Sequence, residues 1–166
     1  LNLLAEAAGF PFDRDGALAR GGTLHQALLE RLNALPFHRQ PAPRSLGREW
    51  FEAEVCPLIG NPDIPLKDRM RTVVEHITTM LAHALIGRND VLLATGGGAH
   101  NGFLLERLQA QLGRYVEVPE KMVVDYKEAL IFALLGVRRL RGESTALASV
   151  TGAARDSVGG SSFAPN

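Results

Sequence analysis

Apolar residues recur at helical spacing through most of this chain, and the breaks in that rhythm mark out its elements. The opening run Leu1-Asn2-Leu3-Leu4-Ala5-Glu6-Ala7-Ala8 reads as a helix, closed by turn chemistry from Gly9 to Gly16. Thr23-Leu24-His25-Gln26 offers a capping box for a second helix carrying Leu24, Leu28, Leu29 and Leu32, which ends near Leu35-Pro36. Six prolines between Pro36 and Pro65, with aromatics among them, predict an ordered loop interrupted by a short helical stretch at about Gly47 to Glu54. The longest periodic segment runs from roughly Lys67 to Ile86, repeating Met70, Val73, Val74, Ile77, Leu81, Ala84 and Leu85 at helical spacing, with Gly87 as its stop.

Beyond Gly87 the pattern changes. Val91-Leu92-Leu93-Ala94 is wholly apolar and bounded by Asp90 and a glycine triplet, which predicts a strand buried on both faces. Thr95-Gly96-Gly97-Gly98-Ala99-His100 turns the chain. Asn101 is placed to cap a helix burying Leu104, Leu105, Leu108 and Leu112, with Gly113 as its C-terminal stop. Arg114 to Val118 reads as a second strand. Asp125-Tyr126-Lys127-Glu128 is another capping-box pattern, opening a helix through Ala129, Phe132, Ala133, Leu135 and Leu140 to Gly142, after which the tail is rich in Ser, Gly, Ala and Thr. The class this predicts is α/β with helices dominant and few strands.

Composition narrows the range of functions. The chain has 166 residues, 46% of them hydrophobic, which suits one domain with a sizeable core. Eighteen Lys and Arg balance eighteen Asp and Glu, so no global field recruits nucleic acid or an anionic membrane. The single cysteine, Cys56, excludes an internal disulfide framework and reads as a buried small apolar residue. With no leader and no spanning apolar run, the expected location is cytoplasmic. An opening at Leu1, already inside a helical pattern, is the expectation for a piece of a longer protein.

The candidate chemistry lies at the glycine triplet. A strand running into Gly96, Gly97 and Gly98 and then a capped helix can cradle phosphate, because glycine lets ligand atoms approach the backbone and a helix N-terminus favours anions. The triplet matches neither the dinucleotide fingerprint nor the phosphate loop, and a purely structural turn is the alternative. Asn101 reads either as a helix cap or as a contact to ribose or base, and His100 either as a nucleotide contact or as a solvent-facing side chain. The remaining histidines lack paired ligand spacing. His76 and His83 share a helix face but stand roughly 10 Å apart at the helical rise, too far for one metal. Arg138, Arg139 and Arg141 cluster where they would complement a helix dipole.

Five collinear blocks resemble the C-terminal half of anhydro-N-acetylmuramic acid kinases. They are Phe12-Asp13-Arg14-Asp15-Gly16-Ala17-Leu18-Ala19, Ser45-Leu46-Gly47-Arg48-Glu49, Thr95 to Asn101, Asp125 to Ala133, and Leu147 to Gly160. The resemblance implies a ribonuclease H-like, actin-like ATPase half-domain, a mixed sheet with flanking helices, spanning residues 1–166 as the nucleotide-binding domain of a two-domain kinase. It further implies an enzyme that uses ATP and Mg2+ to phosphorylate 1,6-anhydro-N-acetylmuramic acid at O6 while water opens the anhydro bridge, in peptidoglycan recycling. Gly96, Gly97, Gly98, His100 and Asn101 would contact the nucleotide, and Glu128 would hold magnesium through water, although Glu128 also reads as the capping-box partner of Asp125.

The family's water-activating aspartate and first phosphate loop belong to its N-terminal half, and no residue here matches them. The chain is therefore expected to be inactive alone and to require that half as partner. An isolated half would expose the surface its partner covers, and a homodimer could form there instead. Related levoglucosan kinases share the glycine motif, which leaves the choice of anhydrosugar open. Two rival readings remain: a stand-alone nucleotide-binding or assembly module without catalysis, and an unrelated α/β domain whose glycine turn holds another phosphate ligand.

Overall fold

A computed structural model describes residues 1–41, 45–87 and 90–161; part of the proline-rich stretch and the last five residues of the tail lie outside these. The chain divides into two compact units, 1–119 and 120–166.

In the first unit the helices are α1 (Asn2–Ala7), α2 (Ala17–Arg20), α3 (Gln26–Asn33), α4 (Arg48–Trp50), α5 (Cys56–Ile59), α6 (Leu66–Ala84) and α7 (Gly102–Leu112). A π-helical turn, Phe51–Val55, joins α4 to α5, so the predicted short helix is longer than expected. The core is organised on α6. Met70, Val73 and Val74 pack with Leu4 and Ala5 of α1, Leu28 and Leu32 of α3, Ile59 of α5 and Phe103 of α7. Each fully buried Leu, Val or Met side chain contributes about 1.5–3 kcal/mol, so this face of α6 dominates the stability of the unit.

Two local expectations are corrected. Thr23 does not cap α3: its N–H donates to Asp68 Oδ1 (2.7 Å), and His25 takes the cap, its Nδ1 accepting from the N–H of Leu28 at 3.1 Å. Cys56 is only partly buried, at the start of α5.

The second unit holds α8 (Lys121–Leu140) and α9 (Ala148–Thr151). Helix α8 begins at Lys121 after Pro119-Glu120, not at Asp125, which lies inside it and pairs with Lys121 one turn earlier. Asp125-Glu128 is thus no capping box. Val124 is the one buried residue of α8, and Leu130, Phe132 and Leu140 are exposed. The tail is fastened to the helices of this unit. Arg139 donates to the carbonyls of Val158 (3.4 Å) and Gly159 (3.1 Å), Arg138 and Arg141 pair with Glu143, and Asp156 Oδ1 receives the N–H of Ala148 at 2.7 Å.

The expected mixed sheet of an actin-like half-domain is overturned. Among the described residues there is no strand, only two isolated bridges, Leu93 with Glu117 (parallel) and Ala146 with Ser157 (antiparallel). The first bridge carries two hydrogen bonds, Ala94 N–H to Glu117 O at 2.8 Å and Glu117 N–H to Leu92 O at 2.9 Å. Among the described residues no third segment extends it, and a lone pair of short segments does not make a stable sheet. Val91 is 78% exposed and Leu93 49% exposed, so the apolar run that predicted a doubly buried strand is not covered. The described architecture is helical.

Candidate functional site

The glycine turn faces a segment 80 residues earlier in the chain. Asp13-Arg14-Asp15-Gly16 forms a tight turn into α2, in which Asp13 is buried and its two carboxylate oxygens accept the N–H groups of Leu18 (2.8 Å) and Ala19 (3.0 Å). Asp15 adopts φ 55°, the left-handed conformation that a non-glycine residue enters at a cost. Its Oδ1 accepts the N–H of Gly102 at 3.0 Å, which holds it there.

Gly16 completes the junction. Its φ of +70° already favours glycine, and a Cβ at this position would lie 2.5 Å from Phe103 Cβ and against the Asn101 amide. The ring of Phe103 in turn makes cation–π contacts with the guanidinium groups of Arg20 (4.7 Å) and Arg71 (4.9 Å). Two of the blocks that carry the family resemblance are thus locked together.

Between them lies a cavity of about 560 Å³, with Arg14 and Asp15 on one wall and Gly97, Gly98, His100 and Asn101 on the other. Gly96 supplies the turn: φ 76° with ψ −173° is a conformation essentially restricted to glycine. A Cβ built on Gly97 meets no atom within 4 Å, so the backbone there faces open space. Asn101 is the N-cap of α7, its Oδ1 accepting from the N–H of Leu104 at 2.9 Å. His100 is exposed at the cavity rim. The structure therefore brings four of the five expected nucleotide contacts, all but Gly96, to the cavity wall.

Glu128 belongs to the other unit. It is exposed on α8, and among the described residues no cluster of three or more His, Cys, Asp or Glu side chains could hold a metal ion. One solvent-facing carboxylate does not make a magnesium site by itself.

Sequence reasoning missed a polar network that joins α6 to α7. Glu75, buried on α6, accepts two hydrogen bonds from Arg107 (both 3.0 Å), one from Gln111 (2.9 Å) and one from Arg71 (3.2 Å), tying α6 to α7. Burial pushes its carboxyl up, but the hydrogen bonds and charge of Arg107, helped by Gln111 and Arg71, outweigh this and hold it below 4.5. His76, one residue on, is also buried. Its ring lies 2.6 Å from Asn33 Oδ1 and 5.0 Å from the His38 ring, and burial first, then the His38 charge, lowers its pKa to about 4. The signal was present: Glu75 and His76 interrupt the apolar face at Val73-Val74 and Ile77.

The family model for anhydro-N-acetylmuramic acid kinase matches residues 2–165. Curated relatives of that name include proteins from Gloeobacter violaceus (37% identical, 90% of this chain and 42% of the relative) and Xanthomonas axonopodis pv. citri (39%, 88% and 41%). Another, from Aliivibrio fischeri, is 36% identical over 92% of this chain and 44% of its own length. The chain thus spans less than half the length of these relatives. A match across nearly the whole chain leads to one conclusion: this protein belongs to the anhydro-N-acetylmuramic acid kinase family.

Proposed function

We propose that this chain is the nucleotide-binding part of an anhydro-N-acetylmuramic acid kinase. The observation that carries the reading is the cavity where the Asp13-to-Gly16 turn meets the glycine turn, both of them family-like blocks. The reaction moves the γ-phosphoryl group of ATP to O6 of 1,6-anhydro-N-acetylmuramic acid. Water adds its oxygen at C1 as the anhydro bridge opens, giving ADP and N-acetylmuramic acid 6-phosphate in cytoplasmic peptidoglycan recycling.

In this reading the backbone at Gly96, Gly97 and Gly98 lets the nucleotide approach closely, and His100 and Asn101 border it. Asn101 keeps its capping role at the same time, since its Oδ1 is engaged and its amide N–H2 remains to donate. Magnesium would arrive with ATP. Such transfer depends on positioning and charge neutralisation more than on covalent participation by the protein. The residue that activates water would lie in the part of the relatives that this chain does not span, so the chain is expected to bind nucleotide without turnover.

The test is calorimetric titration with Mg·ATP of the chain and of Gly97→Val. Open space around Gly97 leaves the fold intact, so binding by the parent chain and its loss in the variant support the reading. Equal binding by both would place the nucleotide elsewhere.

A further inference from the structure

Two of the N–H groups at the N-terminus of α7, a place that would ordinarily attract an anion, are already taken by the protein's own side chains. Asp15 takes the N–H of Gly102 and Asn101 takes that of Leu104. A phosphate chain entering the cavity must therefore be neutralised by another group. Of the basic side chains on the cavity wall, Arg14 carries a permanent charge.

Its surroundings leave that charge available. Arg14 is flanked by Asp13 and Asp15, yet neither is its counter-ion. Asp13 is committed to the amides of Leu18 and Ala19, and Asp15 to that of Gly102. Among the described residues the contact Arg14 makes is cation–π, its Cζ 5.9 Å from the centre of the Phe12 ring, which steadies the side chain without consuming its hydrogen-bond donors. The backbone on which it rides is fixed by the strained Asp15 and by the packing of Gly16 on Phe103.

We propose that Arg14 binds the polyphosphate of the nucleotide, donating charge-assisted hydrogen bonds to non-bridging phosphate oxygens across the cavity from Gly97 and Gly98. This rests on the nucleotide reading of the cavity and adds the residue that recognises its charge.

The experiment compares ADP with adenosine as ligands of the parent chain, Arg14→Gln and Arg14→Lys, at two salt concentrations. Arg14→Gln is expected to weaken ADP at least about tenfold and leave adenosine unchanged, with Arg14→Lys recovering part of the loss. The salt dependence of ADP binding should be shallower in Arg14→Gln than in the parent. Equal weakening of ADP and adenosine, or no change in either, overturns the assignment. If Arg14→Gln leaves ADP binding intact while Gly97→Val abolishes it, the cavity reading survives and Arg14 alone is wrong. If the parent binds neither ligand, both readings fall for this chain.

Discussion

Acid should destabilise the first unit through His76. The buried ring protonates only at about pH 4 in the fold, against 6.5 in an unfolded chain. Between these values the unfolded state holds a proton that the folded state refuses. Stability is therefore complete above about pH 6.5 and falls as the pH drops toward 4. At about 1.4 kcal/mol per pH unit, the whole interval removes about 3 kcal/mol. Trp50 is the sole tryptophan and lies 6.1 Å from the His38 ring in the same cluster, so its fluorescence reports on this unit. Urea melts followed by that fluorescence at pH 7, 6, 5 and 4.5 give the slope. His76→Leu, which has nothing to titrate there, should show a flatter profile. Parallel profiles for the two proteins across pH 6.5 to 4.5 would refute the reasoning.

Glu75 acts in a lower window: its depressed pKa makes its contribution full above 4.5 and lost only as the pH falls below that value. Glu75→Ala, which strands Arg107 and Arg71, should cost about 3 kcal/mol in the same melts at pH 7. Gly16→Ala combines a left-handed backbone with a Cβ 2.5 Å from Phe103 Cβ, and is expected to lower stability by about 2 kcal/mol and to weaken nucleotide binding. Asn101→Ala removes the cap of α7 at a cost of about 1 kcal/mol, whereas Asn101→Asp keeps the acceptor and the stability but presents no amide donor to a ligand. Thermal melts and Mg·ATP titration of the pair separate the two roles.

Much of the helical architecture was legible. The apolar spacing from Met70 to Leu85 placed α6 to within about two residues at either end, and Asn101 and Gly113 bracketed α7 at the residues that cap it. That no sheet forms among the described residues was not legible, because an apolar run such as Val91 to Ala94 records a preference for strand while the existence of a sheet depends on partner segments. Residues 125–128 imitated a capping box inside a helix whose real start is marked by Pro119-Glu120. His25 rather than Thr23 caps α3, while the Thr23 N–H goes to a distant carboxylate, Asp68. At the site, the glycines stood out by composition. Asp15 and Arg14 did not, since their importance comes from a hydrogen bond spanning 87 positions and a counter-ion that is absent from its neighbours.

The most direct test of the cavity as the nucleotide site is a Mg·ATP titration of the isotopically labelled chain followed by amide NMR. The account predicts saturable shifts concentrated at residues 14–16 and 96–102, with the core of α6 unmoved. Shifts confined to other surfaces, or none at saturating nucleotide, would contradict it.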